Sequence, residues 1–235
     1  TTPVYNAPDS ICNQCILPNG DFEYYANVSN GTGNIIDVPF WNQPTNGSSD
    51  AFNSNFPNAS GVSVSSNSFS SHTPAHSGNG YAGFYSYSLT SNYREYIQAP
   101  LNCEMDSLQM YEVKFYLRQP NKCQYSTDHI GVYLSQLPPT LPLSAAPLNT
   151  SLGIIPQFNT PNIYTDTSAW GSLVPNVPYT FQLQGNHEKW ITIGNFYDDN
   201  TTNRIQSYPS AIAANSYYFV DDISVKPLPP SVSVS

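Results

Sequence analysis

Two carboxylate-bearing segments stand near opposite ends of the chain, Asn19-Gly20-Asp21-Phe22-Glu23 and Tyr217-Tyr218-Phe219-Val220-Asp221-Asp222-Ile223-Ser224-Val225. Read as a strand, the second alternates. Phe219, Asp221, Ile223 and Val225 fall on one face, and Val220, Asp222 and Ser224 on the other. The first set reads as the core face, which aims the Asp221 carboxylate inward among apolar neighbours. An unpaired buried charge is very costly, and the chain offers only 7 Lys and Arg against 16 Asp and Glu. A structural Ca2+ meets that need, because the ion collects roughly six to eight carboxylate and carbonyl oxygens. Asp21 and Glu23, which flank the core residue Phe22, are the other candidate ligands. The competing expectation is that Asp221 caps backbone N–H groups or pairs with Lys or Arg.

Catalytic patterns are weaker. No Gly-x-Ser-x-Gly elbow is present for a Ser-His-Asp hydrolase. Pro74 lies between His72 and His76 and forbids a helical metal-binding pair, and His129 and His187 stand apart. Glu95 and Glu112 could form a glycosidase pair on adjacent strands, but strand carboxylates in alternating patterns normally face solvent or an ion-pair partner. The oxygen-rich run 198–203 (DDNTTN) resembles half an EF-hand without its Gly and distant Glu, and reads more simply as an Asn/Asp turn. A non-enzyme is the expectation.

Aromatic residues give the better ligand signal. Tyr81, Tyr85 and Tyr87 share one face of a strand with Gly83 between them, and Arg94, Tyr96 and Gln98 share a face of the next. If the two strands are neighbours, Tyr85, Tyr87, Arg94, Tyr96 and Gln98 form a platform of flat rings and planar hydrogen-bonding groups suited to a sugar. The alternative is that these tyrosines pack inside the fold or under loops. Trp41, Trp170 and Trp190 read as core or loop anchors.

These residues must be positioned by strands. Period-2 segments dominate: 16–25, 35–41, 81–89, 93–101, 110–118, 129–134, 152–158, 170–173, 179–183, 190–196 and 217–225. No window shows a sustained 3.6-residue period, and no repeat suggests a solenoid or propeller. Residues 53–80 are nearly all Asn, Ser, Gly, Pro, Thr and His, with isolated Phe56, Val62, Val64 and Phe69, and read as a long polar loop. The segment 138–147 is rich in Pro and Leu and cannot be a central strand. The expected fold is all-β, an antiparallel two-sheet jelly-roll sandwich with long polar loops. The two terminal segments, 16–25 and 217–225, are expected side by side.

Composition narrows the function classes. The 235-residue chain is 10% charged with a net charge of -9, while 14% of it is aromatic. Seven scattered basic residues give no footprint for nucleic acid or an anionic membrane surface, and no apolar run is long enough to span a bilayer. The aromatics supply ample core material. A secreted, extracellular or cell-surface location is expected, and sequons occur at Asn27, Asn30, Asn46, Asn58, Asn149 and Asn200. Cys12, Cys15, Cys103 and Cys123 form an even set that suggests disulfides, with connectivity open.

The bookends Asn-Gly-Asp-Phe-Glu and Tyr-Tyr-Phe-Val-Asp-Asp-Ile-Ser-Val resemble those of galactose-binding-like jelly rolls, including carbohydrate-binding modules. The ordered set 76–87 (HSGNGYAGFYSY), 92–101 (NYREYIQAPL), 130–135 (IGVYLS) and 191–203 (ITIGNFYDDNTTN) resembles a secreted module of Bacteroidetes surface proteins. In that group the module often precedes a gliding-motility-type or outer-membrane-anchor domain. The resemblance spans 16–225 and implies a jelly roll, export and surface display. By matching position it makes Glu23 and Asp221 structural calcium ligands. The chain departs from the pattern in its Asn/Ser-rich insert before residue 72 and in 138–147. The expected organisation is an N-terminal extension over 1–15, the jelly roll over 16–225 and a Pro/Ser tail or linker over 226–235. The expected function is a non-catalytic surface module for adhesion or glycan binding. The alternative is a structural subunit of a surface layer or filament, self-assembled by strand addition through 1–15 or 226–235.

Overall fold

The computed structural model describes residues 14, 16–64, 66–172 and 174–229. Eleven strands and three short 3-10 turns are present among them. In chain order the strands are β1 (Asp50–Asn53), β2 (Gly80–Ser88), β3 (Tyr96–Pro100), β4 (Met110–Arg118), β5 (Cys123–Thr127), β6 (Ile130–Ser135), β7 (Phe158–Asn159), β8 (Tyr179–Gln184), β9 (Trp190–Asn195), β10 (Arg204–Gln206) and β11 (Ala213–Pro227). One sheet runs β1-β2-β11-β4-β8, with β5 alongside the start of β11 and β10 beyond it. The other runs β3-β9-β6-β7. Successive long strands alternate between the sheets, which gives the antiparallel jelly-roll sandwich expected from the sequence. Among the described strands the one parallel pairing joins β11 and β5.

The main core lies between the sheets. Val113, Phe115 and Leu117 of β4, Ala82 and Phe84 of β2, and Tyr218 and Val220 of β11 face Ile97, Ala99, Ile130, Val132, Leu134, Ile191 and Ile193 of the second sheet. Each is one residue in two along its strand, as a half-buried strand requires. Burying such a side chain contributes roughly 1.5–3 kcal/mol.

Several expected strands are absent. Residues 16–25 form turns rather than a strand, although they do lie against β11: Ile16 N donates to Val225 O at 2.9 Å and Ile223 N to Gly20 O at 2.9 Å. A Cβ at Gly20 would lie only 2.0 Å from the Ile223 carbonyl oxygen, so this close approach to β11 requires glycine. Residues 35–37 form a 3-10 turn, and Gly171 contributes isolated bridges to Leu117 and Pro175. The strands missed in the sequence, β1, β5 and β10, are short and polar. At the other end β11 runs two residues past 225, and Leu228 N bonds Met110 O at 2.8 Å, so the expected tail begins later than 226. The expected strand addition runs through 1–15 or 226–235, and apart from residues 14 and 226–229 those segments lie outside the described residues.

The polar stretch 53–80 is not a loose loop. Its isolated apolar residues Phe56, Val62, Val64 and Phe69 insert against the outer face of the first sheet. There they meet Phe52, Tyr81, Tyr217 and Phe219 in a second, aromatic-rich core. Buried backbone groups in such a cover need partners, and its amides supply them. Asn67 Oδ1 accepts from Phe69 N and Ser70 N at 3.0 and 2.7 Å, while its Nδ2 donates to the Tyr81 hydroxyl at 3.2 Å. That is the physical use of an Asn/Ser-rich insert.

Candidate functional site

Asp221 is fully buried, as the alternation suggested, but not on the face expected. Between Asp221 and Ser224 the pairing with β4 slips by one residue. Asp222 sits at φ +48, a left-handed conformation that marks a bulge. The bulge breaks the alternation. Val220, Ile223 and Val225 all belong to the main core, whereas Phe219 and Asp221 point outward, opposite Tyr116. The single-face set Phe219, Asp221, Ile223 and Val225 is therefore split in two.

Beneath the cover, Asp221 Oδ2 accepts from His76 N at 2.8 Å and Ser77 N at 3.4 Å, and Oδ1 accepts from Asp222 N at 2.7 Å. Burial, reinforced by Asp222, raises its pKa well above the ordinary value. Asp222 binds the same strap through His76 Nδ1 at 2.5 Å and Ser77 Oγ at 2.8 Å, and the His76 ring stacks on Tyr116 with centroids 3.7 Å apart. Glu23 rests nearby in a cradle of N–H groups. Its Oε1 accepts from Asn79 N at 2.6 Å and Gly80 N at 2.9 Å. Gly78, at φ +58, leaves room for that carboxylate, which a Cβ would meet at 2.3 Å. Asp21 is exposed and lines an open groove with Asp222 and Lys226.

These residues do not fit a calcium site in this arrangement. The oxygens of Glu23 and Asp221 face N–H groups, which are partners for an anion and repel a cation. Among the described residues no three His, Cys, Asp or Glu stand together in a group that could hold a metal ion. Asp221 does what the competing expectation held: it caps backbone N–H groups.

The aromatic platform is also taken apart. β2 and β3 lie in different sheets, so the strands carrying Tyr85 and Tyr87 and those carrying Tyr96 and Gln98 are not neighbours. Tyr96 is 0% exposed, its hydroxyl donating to Asn195 O at 2.6 Å and accepting from Leu148 N at 2.9 Å. Gln98 is buried and donates to Thr192 Oγ1 and Pro139 O at 3.0 and 3.1 Å. Arg94 is fully buried, bound to Tyr197 O, Tyr93 O and Thr202 Oγ1 and paired with Asp199 at 2.9 Å. Tyr85 packs edge-on against Phe69 and Tyr217 under the cover, and Tyr87 is buried beside Arg204. The five side chains are structural here and present no common face to solvent. Leu148 and Ile154 shield Tyr96, so the Pro-rich stretch leads into a covering segment for the second sheet.

Two buried carboxylates meet where the chain crosses between sheets. Tyr217 donates its hydroxyl to Asp50 Oδ2 at 2.7 Å, and Gly33 N donates to Oδ1 at 2.6 Å. Glu95 Oε1 accepts from Ser48 N, Ser48 Oγ and Tyr93 Oη at 3.0, 3.0 and 2.6 Å, and Oε2 accepts from Tyr85 N at 3.0 Å. Burial and the neighbouring Glu95 push the Asp50 pKa up to about 7, and burial raises that of Glu95. Asp50 went unremarked in the sequence. The signal was its alternation with Phe52 in Asp50-Ala51-Phe52-Asn53, the same pattern that exposed Asp221. Glu112, considered beside Glu95, lies on β4 and pairs with Lys114 at 2.7 Å, whereas Glu95 precedes β3 and gives its carboxylate to Ser48, Tyr93 and Tyr85. A glycosidase pair of these two is therefore absent.

The accessible concavities have a different chemistry. A groove of about 400 Å³ opens at the end of β6, walled by Tyr133, Ser135, Gln136, Gln157, Asn186 and Glu188. Its framework is rigid. The Gln157 amide pairs with both backbone groups of Leu134 at 2.8 Å, like an extra strand residue. Gln136 Nε2 donates to Asn186 O at 3.1 Å, and Glu188 Oε2 accepts from Asn186 N at 2.6 Å. The sequence singled out none of these residues, because each is an ordinary strand or turn residue in its local pattern. Cys123 is a buried free thiol whose pKa burial raises to about 12, so the even set of four is not two disulfides within this chain. Cys103 is disulfide-bonded, and its partner lies outside the described residues.

No family model matches the chain, and no curated protein matches it. Solved structures resemble it in part. A CBM22 xylan-binding domain from Paenibacillus barcinonensis is 7% identical, with 81% of this chain and 87% of that one covered and a TM-score of 0.41. A CBM61 domain in complex with beta-1,4-galactotriose is 13% identical over 91% and 99%, with a TM-score of 0.42. The K1 cleaved adhesin domain of Lys-gingipain from Porphyromonas gingivalis W83 is 11% identical over 81% and 92%, also at 0.42. A Stig cyclase from Fischerella is 10% identical over 93% and 98%, at 0.49. At these identities and scores neither ligand nor activity passes to this chain.

Proposed function

We propose that the chain is a non-catalytic, extracellular surface module that binds an uncharged glycan or adheres through one. The observation that carries this reading is a contrast of exposure. The carboxylates whose pKa values are raised, Asp50, Glu95 and Asp221, are sealed and saturated with hydrogen bonds. The groove at the end of β6 is instead lined by three amides, a hydroxyl and a tyrosine, with two leucines and a single carboxylate, Glu188. A general acid or base must reach its substrate. Amides and hydroxyls on a rigid wall suit the hydroxyl edges of a sugar. The scarcity of Lys and Arg agrees with an uncharged partner: with a net charge of -9 the chain repels acidic polymers at long range.

The experiment is a glycan array probed with the full chain, followed by chromatography of each bound oligosaccharide after incubation. Retention of uncharged glycans, recovered intact, is the expected result. Cleaved products would refute the non-catalytic reading. No retention together with ordered polymers would favour the structural subunit.

A further inference from the structure

The wall of the groove at the end of β6 buries one of the few side-chain polar atoms that lack a partner among the described residues. Ser135 is 8% exposed and lines the groove, yet its Oγ has no hydrogen-bond partner. Buried hydroxyls are nearly always partnered, and leaving one unpaired costs stability. Alanine would fill this position in the ladder without that cost. A hydroxyl kept there is explained by a partner that comes and goes.

Its surroundings specify the partner. Ile191 and Ile193 of β9 point into the main core, so Trp190 and Thr192 take the outer face. In the ladder Ser135 lies opposite Trp190, and Tyr133 lies opposite Thr192. Trp190 belongs to no core cluster and is half-buried, unlike Trp41 and Trp170, which are 3% and 4% exposed. Two aromatic rings therefore stand on the same outer face as the unpaired hydroxyl. Around it, Gln157 keeps one N–H and one lone pair beyond its two bonds to Leu134. The wall also carries a carboxylate, Glu188, which disfavours an acidic ligand.

We infer that this groove is the subsite for one unit of an uncharged glycan, with the buried Ser135 Oγ turning from the wall to bond a sugar hydroxyl and Trp190 at the rim of the occupied groove. Resting on the glycan-binding reading above, it adds the place, the anchoring atom and the charge class. A serine hydroxyl both donates and accepts, as a sugar hydroxyl does, so the pair is satisfied in either sense.

The test uses the full chain and a panel of uncharged trisaccharides of glucose, galactose, xylose and mannose, with a uronic acid trisaccharide as the acidic comparison. Binding is measured by calorimetry, and Trp190 exposure by acrylamide quenching, read as the difference between the wild-type chain and Trp190→Phe. At least one uncharged sugar is expected to bind and to protect Trp190. Ser135→Ala is expected to bind that sugar about tenfold more weakly. Its melting midpoint should be unchanged or higher, because the lost hydroxyl bonds nothing in the free chain. Equal binding by Ser135→Ala with no protection of Trp190 overturns this inference and leaves the glycan reading standing. Preference for the uronic acid sugar overturns the charge class. No binding by any uncharged sugar overturns both.

Discussion

Tyr217 and Asp50 are bonded hydroxyl to carboxylate at 2.7 Å, fully buried, from strands at either side of β2. The bond spans 167 positions of sequence and pins the last strand of the fold to its first. It also places a carboxylate beside the Coulombic field of Glu95 with no cation bonded to either. A proton is the cheapest neutraliser of such a site.

Stability should therefore fall as pH rises. The folded chain holds the Asp50 proton up to about pH 7, whereas an unfolded aspartate releases it near 3.8. The protonated fold gains that stability at low pH and loses it between these values. At ~1.4 kcal/mol per unit the shift corresponds to about 4 kcal/mol, or about 10 °C in a chain of this size. Melts from pH 5 to pH 8 should show the decline, and Asp50→Asn should make it shallower, the remainder belonging to Glu95 and Asp221, whose pKa values burial also raises. A midpoint that rises across this range would contradict the assignment.

The two buried carboxylates also show what was legible. Asp221 could be found because alternation survives up to Val220 and basic residues are scarce. Its face could not, because the bulge at Asp222 is one added residue in a segment whose local pattern stays apolar. Likewise the sandwich, its long central strands and the closeness of the two terminal segments followed from period-2 patterning. The division of β2 and β3 between sheets did not, since a strand's partner depends on long-range pairing that no local pattern encodes. That division dissolves the platform of Tyr85, Tyr87, Arg94, Tyr96 and Gln98. The groove at Ser135 is built from three distant segments and left no trace in any one of them.

Phe69 tests whether the polar stretch 53–80 is a packed cover. Its ring stacks on Tyr217 at 3.8 Å and meets Tyr85 and Phe52 edge-on at 5.6 and 6.1 Å. Phe69→Ala should cost about 3 kcal/mol, within the range for a buried aromatic, read as a shift of the denaturant midpoint. A silent substitution would mean that the stretch is a loose loop.

Calcium was the sequence expectation for Asp21, Glu23 and Asp221, and a melt with and without a chelator decides it. Because N–H groups already occupy the Glu23 and Asp221 oxygens, the midpoint should not move on adding chelator or millimolar Ca2+. A Ca2+-dependent rise of several degrees would show that the 76–80 strap turns its carbonyls inward to a cation.

Tyr96 separates a structural aromatic from a binding one. Its hydroxyl joins Asn195 O to Leu148 N across the outer face of the second sheet. Tyr96→Phe keeps the ring but strands both backbone groups in a buried place, at a cost of about 1–3 kcal/mol. Sugar affinity, if set at the Ser135 groove, should stay within twofold of wild type while the melting midpoint drops. Loss of affinity with an unchanged midpoint would return Tyr96 to the ligand. The two readouts move in opposite combinations under the two roles, so one variant measured both ways distinguishes them.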